Sequence, residues 1–241
     1  MSPLTLIHAS INTLIHFHRD ITLLNHYTHS IGRCVISVAA VLTLTFSSLV
    51  HAQDAQDQPI NPETAEAIES ARAKGKSVVE LKTNLGSLVI ALENEKAPKS
   101  VENFLAYVED DFYSGTVFHR VIEGFMIQGG GMDLRLEKKE TKAPIQNEAD
   151  NGLKNEKFTI AMARTGNPHS ATAQFFINTA DNHFLDHKSK TQSGWGYTVI
   201  GKLIGGERIA EWLSKAPTGP AGPFPSDVPE IPLVIEEAGV L

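Results

Sequence analysis

From Ser77 onward, apolar and polar residues alternate over short stretches, the period-two pattern of half-buried strands. Ser77 to Thr83 is rich in Val and Leu, Asn84-Leu85-Gly86 reads as a turn, and Ser87 to Leu92 as the returning strand. The period then changes. Val101, Phe104, Leu105 and Val108 recur at spacings of three and four, which predicts a helix over Pro98 to Val108. Short strands are predicted at Val117–Val121, Phe125–Gln128, Phe158–Met162, Phe175–Asn178, Thr198–Leu203 and Leu233–Glu237. A helix over Glu207 to Ser214 has Ile209, Trp212 and Leu213 as its apolar side. Ahead of these, Asn61-Pro62-Glu63 opens a short polar helix with a good N-cap, Pro at its first position and acid in its first turn. Lys74 and Gly75 close it. Many short strands with Gly- and Pro-rich turns, and two helices to plug the ends, point to a mainly β closed barrel or sandwich. No internal repeat or second domain is visible.

The first fifty residues follow a different pattern. Residues 35–50 are an uncharged apolar run of 16 residues preceded by Arg33 and followed by Val50-His51-Ala52, with small residues where a signal peptidase reads. This predicts a signal peptide over 1–52, a polar linker with a short helix over 53–76, and one domain over 77–241. Signals of this kind usually run about 15–30 residues, and a translation start near Ile31 would bring this one to that length. The rival reading is an inner-membrane anchor facing the periplasm. The run from Cys34 to Val50 has 17 residues, at the short edge of what spans a bilayer.

Composition narrows the function. The net charge is −7 with no basic patch, which argues against nucleic acid as a partner. Cys34 is the sole cysteine, so there is neither a disulfide framework nor a thiolate metal site. Cleavage after Ala52 leaves a cysteine-free chain with 19 basic and 27 acidic residues, indifferent to an oxidising compartment. Six of the ten histidines precede residue 53, and His119, His169, His183 and His187 are scattered. Gly129–Gly131 is followed by no Gly-Lys-Ser/Thr and no helix, so it reads as a tight bend and not a phosphate loop. His183 and His187 lack the Glu of a zinc-protease helix, and Ser170 lacks a Gly-x-Ser-x-Gly setting.

Four blocks carry more specific information: Phe-His-Arg-Val-Ile-Glu-Gly-Phe-Met-Ile-Gln-Gly-Gly-Gly from Phe118, Thr-Ile-Ala-Met-Ala-Arg-Thr from Thr159, Ser-Ala-Thr-Ala-Gln-Phe-Phe-Ile-Asn from Ser170, and His183-Phe184-Leu185-Asp186. In this order they resemble the cyclophilins over residues 77 to 241. Asn147 to Leu153 and Ala163-Arg164-Thr165 look like the bacterial, periplasmic branch. The resemblance implies an eight-stranded antiparallel closed barrel capped by two α-helices, with a shallow groove on one face and peptidyl-prolyl cis-trans isomerase activity. It implies Arg120 and Gln128 as catalytic residues. Phe125, Met126, Ala163, Arg164, Phe176, Phe184, Leu185 and Tyr197 are implied to bind substrate. No metal and no cofactor are implied. Tyr197 stands where many eukaryotic members have His, Phe184 where many have Trp, and Arg164 where many have Asn. The implied partners are proline-containing unfolded or flexible segments, with weak cyclosporin binding, a monomeric state and no stable membrane association after cleavage.

The residue types suit that chemistry. Rotation about an X-Pro bond breaks nothing, and the barrier is the partial double bond of the amide. A twisted amide exposes the nitrogen lone pair, and a planar guanidinium with five fixed donors can stabilise it. Blander readings exist for each residue. Phe118, Phe125 and Phe175 also suit a barrel core, and strand parity sends Phe175 inward where Phe176 faces the groove. Arg120 outside its block would read as a surface ion-pair partner, and His119 as a structural or rim hydrogen-bonding residue. Two other functions compete: a non-catalytic barrel that holds Pro-containing segments, and a hollow ligand-binding barrel of the lipocalin type.

Overall fold

Asn84 and Leu85 join β1 (Val78–Thr83) to β2 (Gly86–Leu92), which pair antiparallel from Val78↔Ala91 to Thr83↔Gly86. The computed structural model that shows this describes residues 60–241; the leader read over 1–52 and the polar stretch 53–59 lie outside the described residues. Alternation divides the two strands cleanly. Val79, Leu81, Leu88, Ile90 and Leu92 enter the main core, whereas Val78, Val89 and Ala91 face the other way. That second face is covered by α1 (Pro62–Ala73), which sets Ile68 and Ala71 against it. Cover on both sides explains why β1 and β2 read as nearly continuous apolar runs. α1 begins where the sequence indicates, with the Asn61 side chain accepting the Thr64 N–H at 2.8 Å.

The remaining strands are β3 (Thr116–Val117), β4 (Arg120–Ile122), β5 (Met126–Gly129), β6 (Thr159–Met162), β7 (Phe175–Asn178), β8 (Val199–Gly205) and β11 (Val234–Val240). With β1 and β2 they form a nine-stranded sheet in the order β3-β11-β1-β2-β8-β6-β7-β5-β4, every pair antiparallel. The sheet curls into a half-barrel. Its two end strands, β3 and β4, are consecutive pieces of one stretch of chain. β3 pairs with β11 and β4 with β5. The single strand expected at Val117–Val121 is therefore broken at Phe118–His119, where the chain changes partner, and the expected eight strands become nine.

Helix α2 (Pro98–Glu109) buries Val101, Phe104, Tyr107 and Val108. Phe104, Tyr113, Phe118 and Phe175 meet edge to face or tilted, with ring centroids 5.1 to 6.1 Å apart. Each such fully buried ring stabilises the fold by about 1.5–3 kcal/mol. α3 (Glu207–Ser214) buries Ala210 and Leu213 and leaves Trp212 exposed. The pattern of polar and apolar positions did not predict a second, two-stranded sheet, β9 (Thr218–Ala221) with β10 (Phe224–Pro229). Its β10 strand packs beside β4.

Candidate active site

Register places the candidate residues in one row. Arg120 pairs with Gln128 across β4–β5, Gln128 with Phe176 across β5–β7, Phe176 with Ala161 across β7–β6, and Ala161 with Val199 across β6–β8. Directly paired residues project from the same face of a sheet. A polar end, Arg120 and Gln128, thus runs into an apolar floor. Phe176, Met126, Ala161, Ala163 and Val199 are buried together, with Ile122, Phe125, Leu153, Leu185 and Tyr197 packed against them. Phe175, one residue from Phe176, is fully buried in the main core, as strand parity requires.

Above this floor lies an open groove of about 390 Å³. Arg120, Gln128, Phe125, Met126, Ala163, Arg164, Phe176, Leu185 and Tyr197 all line it, together with His119, Met132, Gln174 and Phe224. Phe184 is the exception among the residues singled out from the sequence. It stands outside the lining, 63 % exposed, and stacks on Phe125 at 5.5 Å.

Local hydrogen bonds hold these side chains in place. The Gln128 amide donates to the Gln174 side-chain oxygen at 2.9 Å. Leu185 and Phe184 sit on a single 3-10 turn, His183–Leu185. Asp186 ends that turn by accepting the Asn155 backbone N–H at 2.8 Å, while the Asn182 amide donates to the Phe125 carbonyl at 2.8 Å and to Asn178 at 2.7 Å. These buried polar groups are mutually satisfied, which fixes the turn rigidly. Tyr197 donates its backbone N–H to the Leu185 carbonyl and sets its ring edge-on to Phe176 at 5.6 Å. The Arg164 guanidinium lies 4.5 Å above the Tyr197 ring and donates to the Gly196 and Thr165 carbonyls at 2.9 Å. Arg164 is therefore tethered at the rim.

Glycines at the end of β5 let the groove form. A Cβ on Gly131 would stand 2.3 Å from the Gln174 side chain. At Gly130, φ is +74° and a Cβ would meet Phe175 and Tyr113 at 2.7 to 2.8 Å. The run Gly129–Gly131 thus serves close approach and a bend, as its lack of a following helix implies.

His119 lies beneath Arg120 and is 3 % exposed. Its Nδ1 has no hydrogen-bond partner, and its ring is covered by Phe224 at 5.4 Å. Burial lowers its pKa from 6.5 to about 4; the neighbouring Arg120 charge pushes the same way, and a hydrogen bond to the Val117 backbone opposes them. The imidazole is neutral at physiological pH.

Sequence reasoning did not single out Met132, Gln174 or Phe224 as groove residues. Gln174 was within reach of the parity argument, since it is two residues from Phe176 and shares its face. Phe224 lies in the hairpin that the sequence pattern did not predict.

Known proteins match this framework. Residues 78–240 match the family model described as cyclophilin type peptidyl-prolyl cis-trans isomerase/CLD. A peptidyl-prolyl cis-trans isomerase of Streptomyces antibioticus is 55 % identical over 165 residues, covering 68 % of this chain and 99 % of the relative. Peptidyl-prolyl cis-trans isomerase B of Escherichia coli is 48 % identical over 163 residues, covering 68 % of this chain and 99 % of the relative. A crystal structure of a Cryptosporidium parvum cyclophilin type isomerase in the presence of the dipeptide Ala-Pro superposes with a TM-score of 0.55 at 26 % identity, covering 68 % of this chain and 98 % of that one. With 55 % identity over 165 residues that span 99 % of a bacterial isomerase, and a family model that matches residues 78–240, this chain belongs to the cyclophilin-type peptidyl-prolyl cis-trans isomerases.

Proposed function

We propose that the protein is a peptidyl-prolyl cis-trans isomerase that rotates X-Pro bonds in exported polypeptides, and that the groove is its active site. The observation that carries this is the row from Arg120 through Gln128 to Phe176: a fixed cationic donor beside an apolar floor. A proline ring seated on Phe125, Met126, Phe176 and Leu185 is held by apolar contact while the preceding carbonyl turns. As the amide twists, its nitrogen loses resonance and gains a lone pair, and the Arg120 guanidinium donates to it more strongly than to the planar amide. Gln128, fixed by Gln174, binds the rotating carbonyl or orients Arg120. No proton is transferred and no bond is broken, so neutral His119 is not needed as a base. Ala163, Arg164 and Tyr197 form the far rim and hold the peptide flanking the proline.

The groove is open and shallow, which suits flexible proline-containing segments and not folded partners. Phe184 supplies ring area at the rim but no N–H donor, so cyclosporin binds weakly. Export follows from the leader: residues 1–52 act as a signal peptide, 53–76 link it to the domain at 77–241, and the mature protein is a periplasmic monomer. Among the described residues no helix is long and apolar enough to cross a membrane.

The test is a protease-coupled isomerisation assay on a Pro-containing tetrapeptide. The unmodified protein accelerates the cis-to-trans step. Arg120→Ala lowers kcat/KM by roughly a hundredfold, the scale of removing one preorganised transition-state donor. Arg120→Lys fails nearly as badly, because an ammonium keeps the charge but not the planar fork. Absence of activity in the unmodified protein, with proline-peptide binding retained, would favour the purely binding module.

A further inference from the structure

The hairpin β9–β10 supplies a residue that the groove motifs do not contain. β9 and β10 pair at Phe224↔Ala221 and again at Val228↔Gly219, with a register shift between. Pro225, Ser226 and Asp227 form the bulge. Such bulges re-aim side chains beside functional sites. Asp227 has φ +67°, the left-handed region that Asp tolerates and most residues avoid. The result of this backbone is that its carboxylate faces Arg120, with Oδ2 3.5 Å from Nε. β10 packs beside β4, and the Phe224 ring covers His119, the residue before Arg120.

We infer that Asp227 is a positioning residue for isomerisation: it engages Arg120 through Nε, on one edge of the guanidinium, and leaves the two terminal nitrogens turned to the substrate. This rests on the reading of the groove as an isomerase site with Arg120 as its donor. Arg120 is otherwise a long, half-exposed side chain with many rotamers. A carboxylate on its inner edge restricts those rotamers before substrate arrives, which raises the fraction of groove in the productive state. Gln128 donates one amide N–H to Gln174 and keeps its own oxygen for Arg120 and its second N–H for the substrate carbonyl, so the Asp227 contact acts beside it on a different edge of the guanidinium. The Asp227 charge also compensates one of the two cations that border the groove, Arg120 and Arg164.

Asp227→Asn and Asp227→Gly test the role, because both residues accept a left-handed backbone and so keep the bulge. Steady-state kinetics by exchange NMR separate kcat from KM. Both variants lower kcat by roughly three- to fivefold, the range expected for a solvent-accessible ion pair, and leave KM nearly unchanged. In an Arg120→Lys background, which has no Nε at that position, Asp227→Asn has no further effect on the residual rate. The Arg120 Nε–H resonance gives a second readout that needs no activity: it exchanges slowly with water in the unmodified protein and fast in Asp227→Asn. Fast exchange in both proteins, or an undiminished kcat with a shifted KM, overturns the positioning role. An inactive unmodified protein with a protected Nε–H overturns the isomerase reading and leaves the contact in place.

Discussion

His119, the residue before Arg120, is buried with Nδ1 unpaired, and that burial has a consequence for stability. The folded chain refuses a proton there until about pH 4, whereas an unfolded histidine takes one near 6.5. Between those values the unfolded state binds more protons, so stability falls as pH falls through the window, by on the order of 3 kcal/mol in full. Urea unfolding followed from pH 7 to pH 4 shows this slope in the unmodified protein, and His119→Gln flattens it. An identical slope in both proteins would place the acid sensitivity elsewhere. Above pH 6 the His119 ring stays neutral, and isomerase activity is expected to be flat to about pH 9, since rotation about the amide transfers no proton. At this scale the sequence was informative where one strand's parity sufficed: Phe175 in the core and Phe176 in the groove. It was silent on Asp227, 107 residues from Arg120 along the chain, because no local period reports which distant side chain meets an arginine.

The elements fall into the same two classes. β7 and α3 have the bounds that the sequence pattern indicates; all four residues of β7 are buried, with Phe175 and Ile177 in the main core and Phe176 in the groove floor. The β9–β10 hairpin escaped because Pro217, Pro220, Pro223, Pro225 and Pro229 crowd it. Proline within a run argues against a central strand, and only a separate two-stranded edge sheet tolerates so many. The polar helix α1 gave no hint of its docking face, since of its three buried residues, Thr64, Ile68 and Ala71, only two are apolar. The glycine bend after β5 was legible as a bend, and its strictness comes from what surrounds it. Gly130→Ala combines a positive φ with a methyl 2.7 Å from Phe175, so it destabilises by roughly 2–4 kcal/mol. Gly124→Ala is the control, since φ is +69° but no atom lies within 4 Å, and it costs about 1 kcal/mol. Denaturant midpoints for the two variants measure the difference. Equal losses would mean that the aromatic cluster gives way at Gly130 and that packing there is looser than the distances imply.

Across the molecule, alternation and the four sequence blocks carried the mainly β fold, but not the way the sheet curls. The break at Phe118–His119 hands the chain from β11 to β5, and pairing between strands far apart in sequence leaves no mark on the local period. The leader is the remaining whole-chain question, and the cysteine decides it. Cys34 lies before Ala52, and no cysteine follows. A chain cleaved after Ala52 starts at Gln53, carries a net charge of −8 and has no thiol at all. A retained anchor keeps the apolar run and one thiol beside it. Expressed at full length in a Gram-negative host and fractionated, the protein is expected in the periplasm, with an N-terminal peptide beginning at Gln53 by mass spectrometry. It gives no colour with a thiol reagent under denaturing conditions. Recovery of intact chain in the membrane pellet, with one titratable thiol per molecule, would sink the cleavage reading and establish the anchor. The isomerase domain would serve exported chains in either case, because both arrangements put the groove of Arg120 on the same side of the membrane.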